Sequence, residues 1–130
     1  MITYYCPQCW TIVTEQDVSC PNCGYHLGQF TELPYEDKLL LGLKHPVQDI
    51  RIIAIKALGD LGNLRAIPEF KQIVMNENED YYVLRAVLLA LEIIPGQQSI
   101  ALLVQAKNHP SELVRRLADQ ILKRMSDQDH

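Results

Sequence analysis

The chain has 130 residues, of which 48% are hydrophobic and 22% are charged, with 12 Lys and Arg against 16 Asp and Glu. This length allows one ordinary domain or a small domain beside an appendage, and the apolar fraction excludes a chain that is disordered throughout. The net charge of −4 disfavours nucleic-acid binding, which requires a basic surface.

The sequence carries neither a targeting pattern nor a membrane span. Its first ten residues lack the basic start and the apolar core of a secretory signal. The longest unbroken apolar run in the later part, Ala86 to Leu91, has six residues, whereas a membrane span needs roughly 20. We therefore expect a soluble cytoplasmic protein, because clustered thiols stay reduced and free to bind metal in that compartment.

The first element along the chain is a pair of cysteine turns. The sequence reads C-P-Q-C and, ten residues later, C-P-N-C-G. Each C-x-x-C turn can direct two thiolates to one side, and two such turns complete the tetrahedron that zinc prefers. Two disulfides and a four-thiolate iron site are the alternatives. We predict one structural zinc per chain, with the four cysteines as its ligands: Cys6, Cys9, Cys20 and Cys23.

The residues between the two turns predict a small β-hairpin. Thr11 to Val13 favours a strand, and the polar residues Glu15 to Asp17 favour a turn. Trp10 follows the first cysteine pair at the position that Gly24 occupies after the second, and we expect the indole to cover the metal. So short a segment buries too little surface to fold alone, so the metal would supply its folding free energy.

This segment resembles the short zinc-ribbon modules found at the ends of many bacterial proteins. The resemblance lies in Y-C-P-x-C at residues 5–9 and C-P-N-C-G-x-x-L at residues 20–27. It implies metal binding but no particular function, since such ribbons serve transcription factors, enzymes and protein adaptors alike. Residues 1–37 contain five acids and no Lys or Arg, so the ribbon lacks the charge to hold phosphates. We assign residues 1–30 to the ribbon.

A linker at residues 31–34 then leads to six helices, grouped as three pairs over residues 35–130. Gly28 to Pro34 shows neither strand nor helix periodicity, and Pro34 fits the first turn of a new helix. Proline, glycine and asparagine separate the later segments. The predicted helices are Tyr35–Lys44, Val47–Leu61, Leu64–Asn76, Glu79–Ile94, Gln97–Asn108 and Ser111–Met125.

The second helix of each pair repeats one apolar stripe. Spacings of i, i+3, i+4, i+7, i+8 and i+11 predict one buried helix face, and the stripe recurs at offsets of 32 and 64 residues. A small residue stands at matching positions, at Ala54, Ala86 and Ala118. The stripe contains Ile50, Ile53, Ala57, Leu58 and Leu61 in the first pair, and Val114, Leu117, Ile121, Leu122 and Met125 in the last.

A second face of these helices predicts where the array ends. In the middle helix this face is wholly apolar, and in the last helix it is wholly polar. A middle helix is covered on both sides, whereas a terminal one faces water. We therefore predict a mainly α fold, a three-repeat α-solenoid preceded by a small β-hairpin zinc ribbon. The two faces contain Leu84, Val87, Leu88 and Leu91, and Arg116, Asp119, Gln120 and Lys123.

The helical part resembles short HEAT repeats of the phycobilisome-lyase type. The resemblance lies in A-L-G-D-L-G-N-L-R-A-I-P at residues 57–68, and in the V/I-R-x-x-A element that begins at Ile50 and again at Val114. The middle repeat has Val83 in place of the arginine, so we expect its helix to be shifted by a residue or two. The resemblance covers residues 35–125 and implies an α-solenoid that binds proteins, although some relatives are enzyme subunits.

The sequence offers no set of catalytic residues. Four thiolates leave no open position on zinc, and His26 is not needed as a further ligand. His45 and His109 lie two repeats apart, too far to share one metal, and each precedes a proline as a turn residue can. Some HEAT-repeat enzymes bind two irons through His-Glu pairs, but the sequence has no His-Glu dipeptide. We expect a non-catalytic protein.

We expect the solenoid to bind an unidentified protein partner. Its candidate contacts combine arginines and aromatic anchors; the alternative is that the arginines pair with acids such as Asp49 or Asp60. An accessory subunit of a cofactor-attaching enzyme and a nucleic-acid-associated protein are the other hypotheses. The leucines between residues 39 and 43 exceed what one helix can cover, so the ribbon or a second copy, as in a homodimer, would pack there. The candidate contacts are Arg51, Tyr81, Tyr82, Arg85 and Arg115.

Overall fold

A computed structural model describes residues 4–128, and the side chains of residues 4–127. The predicted ribbon and repeats extend to residues 1–3 and 129–130, and those parts lie outside the described residues. The ribbon contains two short antiparallel strands, β1 (Tyr4–Tyr5) and β2 (Ile12–Val13), with Tyr4 opposite Val13 and Tyr5 opposite Ile12. A further bridge joins Ser19 to His26. The predicted hairpin is therefore present.

Seven α-helices follow, one of them not predicted. Residues 28–32 form a short helix at the end of the ribbon, although the sequence there lacks helical periodicity. The other six agree with the predicted segments to within two residues at most ends, and a 3₁₀ turn at Leu64–Ala66 precedes the fourth. The helices are α1 (Gly28–Glu32), α2 (Tyr35–Gly42), α3 (Gln48–Asp60), α4 (Ile67–Met75), α5 (Tyr81–Ile93), α6 (Gln97–Ala106) and α7 (Glu112–Gln128).

Side chains that bind free backbone N–H groups set several helix starts. The Asp80 carboxylate accepts a hydrogen bond from the Tyr82 N–H at 2.8 Å and begins α5. The Asn63 side-chain oxygen accepts one from the Arg65 N–H, also at 2.8 Å, at the 3₁₀ turn. Gly62 has a φ of +64°, which glycine adopts without strain and which ends the first pair. These polar and glycine positions explain why the boundaries could be predicted.

The central helix α5 is covered on both sides, as predicted. It packs against α3 on one side and α7 on the other, and the apolar face predicted for it is buried. On α7, the polar face is exposed or half-buried. The array therefore ends at α7 as far as the described residues extend. The buried face of α5 contains Leu84, Val87, Leu88 and Leu91.

The predicted stripe faces the core only in α7. There Val114, Ala118 and Ile121 are fully buried. In α3, by contrast, Ile53 is 63% exposed, while Ile55, from the other face, is fully buried. The prediction was wrong for α3 because this helix has two apolar faces, and periodicity alone does not say which one meets its neighbours.

Small residues let the helices approach closely. A Cβ atom added to Gly59 on α3 would lie 2.7 Å from the Ala90 Cβ and 2.9 Å from the Ala90 Cα on α5. A Cβ on Gly42 would lie 3.2 Å from the Ala54 Cβ, where α2 meets α3. Ala54, Ala86 and Ala118 are all buried, in agreement with the prediction of small residues at the crossings.

Among residues 4–128, no helix combines the length and the apolar character that crossing a bilayer would require.

Candidate metal centre and partner surface

The four cysteines lie together with their sulfurs facing one point. All four Sγ atoms are within 4.8 Å of one another, and the shortest cross-pairs, Cys6–Cys23 and Cys9–Cys20, are 3.6 Å apart. A tetrahedron with zinc–sulfur bonds of about 2.3 Å has edges of about 3.8 Å. All four thiols are free, with Cys6 and Cys20 buried. The ligand set predicted from the spacing is therefore assembled to hold a metal ion.

The two cysteine turns have the same backbone structure. The Trp10 N–H donates to the Cys6 carbonyl at 2.8 Å, and the Gly24 N–H donates to the Cys20 carbonyl at 2.9 Å. The residue after each pair is left-handed, with φ of +62° at Trp10 and +81° at Gly24. Gly24 adopts this conformation without a steric penalty, whereas Trp10 is strained by it. The fold imposes the conformation on both turns and accepts the strain at one.

The sulfurs do not all favour the same protonation state. Contacts with the Thr11 side chain and then the Asn22 side chain lower the pKa of Cys9 to about 5. At Cys23 the Tyr25 backbone favours the thiolate, but burial and the three neighbouring cysteines outweigh it and raise the pKa to about 12. Four adjacent thiolates repel one another, so only a bound cation allows all four to be deprotonated together. This electrostatic demand fits a metal site.

The first residues on either side of the first turn contact the helical part. The Tyr5 ring meets the His45 ring edge-on at 4.8 Å between centroids, and the Trp10 ring does so at 5.1 Å. The ribbon therefore lies at the end of the array that the leucines of α2 form, one of the two arrangements expected for them. The expectation that the indole covers the metal is replaced by this contact: Trp10 packs on His45.

Both predicted turn histidines act as helix caps. The Nδ1 of His45 accepts a hydrogen bond from the Val47 N–H, and the Nδ1 of His109 accepts one from the Ser111 N–H, each at 3.0 Å. Burial lowers the pKa of both imidazoles, so each is neutral at pH 7. Neither belongs to the cysteine cluster, and nor does the exposed His26.

A family model of HEAT repeats matches residues 36–129, more than two thirds of the chain. The protein belongs to the HEAT-repeat family. The match begins at the second residue of α2, so it covers the three helix pairs and leaves the ribbon outside. Among curated proteins, none matches the chain.

Two arginines of the HEAT array have contacts that hold the fold together. Arg51 lies 3.8 Å from the Glu79 carboxylate, rather than pairing with Asp49 or Asp60. Arg115 donates from Nη1 to the carbonyls of His109 and Pro110, both at 2.8 Å. These contacts tie the starts of α3 and α7 to the preceding segments, and they account for the arginine of the repeated element.

The other candidate contacts lie on the solvent side of α5. Tyr82 is 65% exposed and Arg85 is exposed, whereas Tyr81 packs against the core and places its ring 5.6 Å from that of Tyr82. Ile93 continues this exposed side at 53%. Tyr82 and Arg85 therefore remain as surface residues, and Tyr81 serves the fold.

The exposed side of α3 was missed because its isoleucines were assigned to the core. Ile50 is 40% exposed and Ile53 is 63% exposed, at the positions that correspond to Tyr82 and Arg85 one repeat later. Beside them lies an almost wholly apolar groove of about 200 Å³ between the ribbon and the first HEAT pair. Its walls include Pro7, Trp10, Phe30, Leu41, His45 and Ile53. The signal in the sequence was the presence of two apolar faces on one helix.

Proposed function

We propose that this HEAT-repeat protein is a non-catalytic adaptor that binds another protein through the solvent side of α3 and α5. The observation that carries the proposal is the run of exposed apolar side chains at matching positions of two neighbouring repeats. Ile50 and Ile53 on α3 stand beside Tyr82 and Ile93 on α5. Contiguous exposed apolar side chains are typical of interaction sites, and a tyrosine and an arginine are the residue types that most often contribute binding energy.

The partner segment that fits this surface is apolar with a carboxylate. The exposed Arg85 stands within the apolar run, and burying it against a partner is favourable only when an anion meets it. Its neighbour Tyr82 offers a large ring with low conformational entropy to lose. We therefore expect the partner to present apolar side chains to Ile53 and Tyr82 and an Asp or Glu to Arg85.

We further propose that the ribbon holds one zinc ion with a structural role. Four cysteines match the ligand set and the tetrahedral spacing of structural zinc sites, and they leave no coordination position open for a substrate. Free thiols also fit a reducing compartment, which supports a cytoplasmic location. When bound, the ion supplies folding free energy to a segment whose own core consists of little more than Cys6, Val13 and Cys20.

Comparative affinity capture tests the binding proposal. The wild-type chain, Ile53→Asp and Val104→Asp are each used to capture proteins from the native cell. Val104 is the matched control because it is 49% exposed on α6, outside the proposed surface. We expect a protein that co-purifies with wild type and with Val104→Asp but is lost with Ile53→Asp. Retention of every captured protein by Ile53→Asp would overturn the proposal, and so would equal loss with both variants.

A further inference from the structure

The first cysteine turn is joined to the first HEAT pair through its two outer residues. Tyr5 immediately precedes Cys6, and Trp10 immediately follows Cys9. Both rings contact the same imidazole, that of His45, at centroid distances of 4.8 and 5.1 Å with interplanar angles of 74° and 63°. Edge-to-face contacts of this kind are favourable beyond the area they bury. One side chain of the helical part is therefore held between two residues whose neighbours are candidate metal ligands.

The position of these two rings depends on the closed cysteine turn. Trp10 is left-handed, and its N–H donates to the Cys6 carbonyl, so the direction of the indole follows from the fold of the turn. The Cys6 N–H in turn donates to the Thr11 carbonyl at 2.9 Å. The ribbon has too small a core to keep a strained tryptophan in place by packing alone. Metal binding at the four sulfurs is what holds the turn closed.

On the helical side, His45 stands at the start of α3. Its Nδ1 accepts the Val47 N–H at 3.0 Å, just before the first residue of that helix. Helix α3 packs closely against α5, the centre of the array, through Gly59. The imidazole therefore has two functions at once: one nitrogen caps a helix, and the ring meets the ribbon.

The last HEAT pair provides an internal comparison. His109 makes the same cap, from Nδ1 to the Ser111 N–H at 3.0 Å, and also precedes a proline. Its Nε2 is buried, and neither Tyr5 nor Trp10 contacts it. Helix capping alone therefore needs no ribbon contact. The contact of His45 with both rings is an addition to the common turn.

We propose that His45 is a positioning residue that couples metal binding in the ribbon to the stability of the first HEAT pair. Metal binding fixes Tyr5 and Trp10 against His45 and so stabilises the junction of α2 and α3. By thermodynamic linkage, His45 strengthens metal binding by the same factor. The coupling needs no partner protein, so it stands or fails independently of the proposed adaptor function.

The coupling is tested with His45→Asn and the matched control His109→Asn. Asparagine retains a side-chain acceptor for the following N–H and removes the imidazole ring. Two quantities are measured for the full chain: zinc affinity, by competition with a chelating dye, and the zinc-induced rise in the melting temperature of the helices, by circular dichroism at 222 nm. Zinc alone is the probe.

We expect His45→Asn to bind zinc about tenfold more weakly than wild type, the size that the loss of two edge-to-face contacts predicts. The zinc-induced rise in helix melting temperature should also be lost in this variant, while His109→Asn keeps both wild-type values. Unchanged affinity in His45→Asn would overturn the proposal. It would also be overturned by equal weakening in the two variants, or by wild-type helices whose melting does not respond to zinc.

A second variant decides the matter if His45→Asn does not fold. Trp10→Gly leaves every residue of the HEAT pairs unchanged and suits the left-handed conformation at that position. Because it also removes strain from the ribbon, its zinc affinity is not the readout. We expect zinc to bind but to raise the melting temperature of the helices less than in wild type. A rise equal to that of wild type would contradict the coupling.

Discussion

The two residues that follow the cysteine pairs have the same backbone conformation and different side chains. Gly24 has no Cβ to clash at a φ of +81°, and it contacts nothing that its replacement would disturb within 4 Å. Trp10 accepts a similar conformation at +62° and gains a contact with His45. A left-handed residue with a side chain costs about 1–2 kcal/mol. At Trp10 the contact offsets this cost, and at Gly24 no such contact exists.

We predict that Gly24→Ala weakens zinc binding by about five- to thirtyfold, because the added Cβ is strained at this φ although it meets no neighbour. Competition with a chelating dye measures the affinity. Gln8→Ala, at an exposed position inside the first turn, serves as the control and should bind zinc as wild type does. An affinity of Gly24→Ala equal to that of Gln8→Ala would show that the left-handed conformation is not required.

His109 should make the stability of the HEAT array depend on pH. Burial lowers its pKa, Glu77 opposes this effect, and Arg115 adds to it. Because the folded pKa lies below the unfolded value of about 6.5, the unfolded chain binds the proton first as the pH falls. The free energy of unfolding is therefore highest above pH 6.5 and decreases as the pH falls through the folded pKa.

Urea unfolding at several values between pH 7.5 and pH 5.5 measures this dependence in wild type and in His109→Asn. We expect a shallower decrease in the variant, since asparagine has no proton to gain in this range. Both proteins contain the same cysteines, so the titration of the ribbon cancels in the comparison. Parallel curves would show that His109 does not contribute.

At the scale of elements, the closest approach in the array lies between α3 and α5. Gly59 and Ala90 meet there with no room for a further carbon atom, since an added Cβ would lie 2.7 Å from the Ala90 Cβ. Interhelical ion pairs add less to this packing, because the pair of Arg124 with Glu92 is largely solvated. The packing of small residues therefore determines how the repeats stack.

We predict that Gly59→Ala destabilises the protein by about 1–3 kcal/mol despite the better helix propensity of alanine. Urea denaturation measures the change. The double variant Gly59→Ala with Ala90→Gly moves the methyl group to the other helix and should recover part of the loss, whereas Ala90→Gly alone should not stabilise the protein. Absence of recovery in the double variant would mean that the clash is not between these two residues.

The elements themselves could be predicted from the sequence, but their orientation could not. Pro34, Gly62 and Asp80 mark helix ends through local chemistry, and the structure places helix ends beside each of them. The side of α3 that is buried depends on α5, a contact made 32 residues later in the chain, which no local pattern encodes. The helix at residues 28–32 has five residues, too few for an apolar period to be recognised.

The candidate site divides in the same way. The cysteine spacing is a local signal, and it identified all four members of the cluster. The partners of Arg51 and Arg115 are determined by tertiary contacts, with Glu79 in one case and with backbone carbonyls in the other. Glu79 lies 28 residues beyond Arg51, so only the folded array reveals the pair.

At the scale of the whole molecule, charge and core are divided between two parts. Residues 1–37 contain five acids and no Lys or Arg, and all 12 basic residues follow them. The main hydrophobic core belongs to the HEAT pairs, around fully buried residues such as Phe70, Leu88 and Ile121, while the ribbon has a separate small core. The helical part therefore has its own source of stability, and the ribbon depends on its metal.

We predict that the purified protein contains one zinc per chain, and that a chelator unfolds the ribbon while most of the helical signal remains. The helices keep their core when the four sulfurs are released, whereas the cysteine turns lose the cation that holds their thiolates together. Elemental analysis measures the metal, circular dichroism at 222 nm measures the helices, and the emission of Trp10, the single tryptophan, reports on the ribbon. Mass spectrometry under non-reducing conditions is the control for oxidation. Metal-free protein with two disulfides would contradict the zinc assignment, and loss of the whole helical signal on chelation would contradict the separate core.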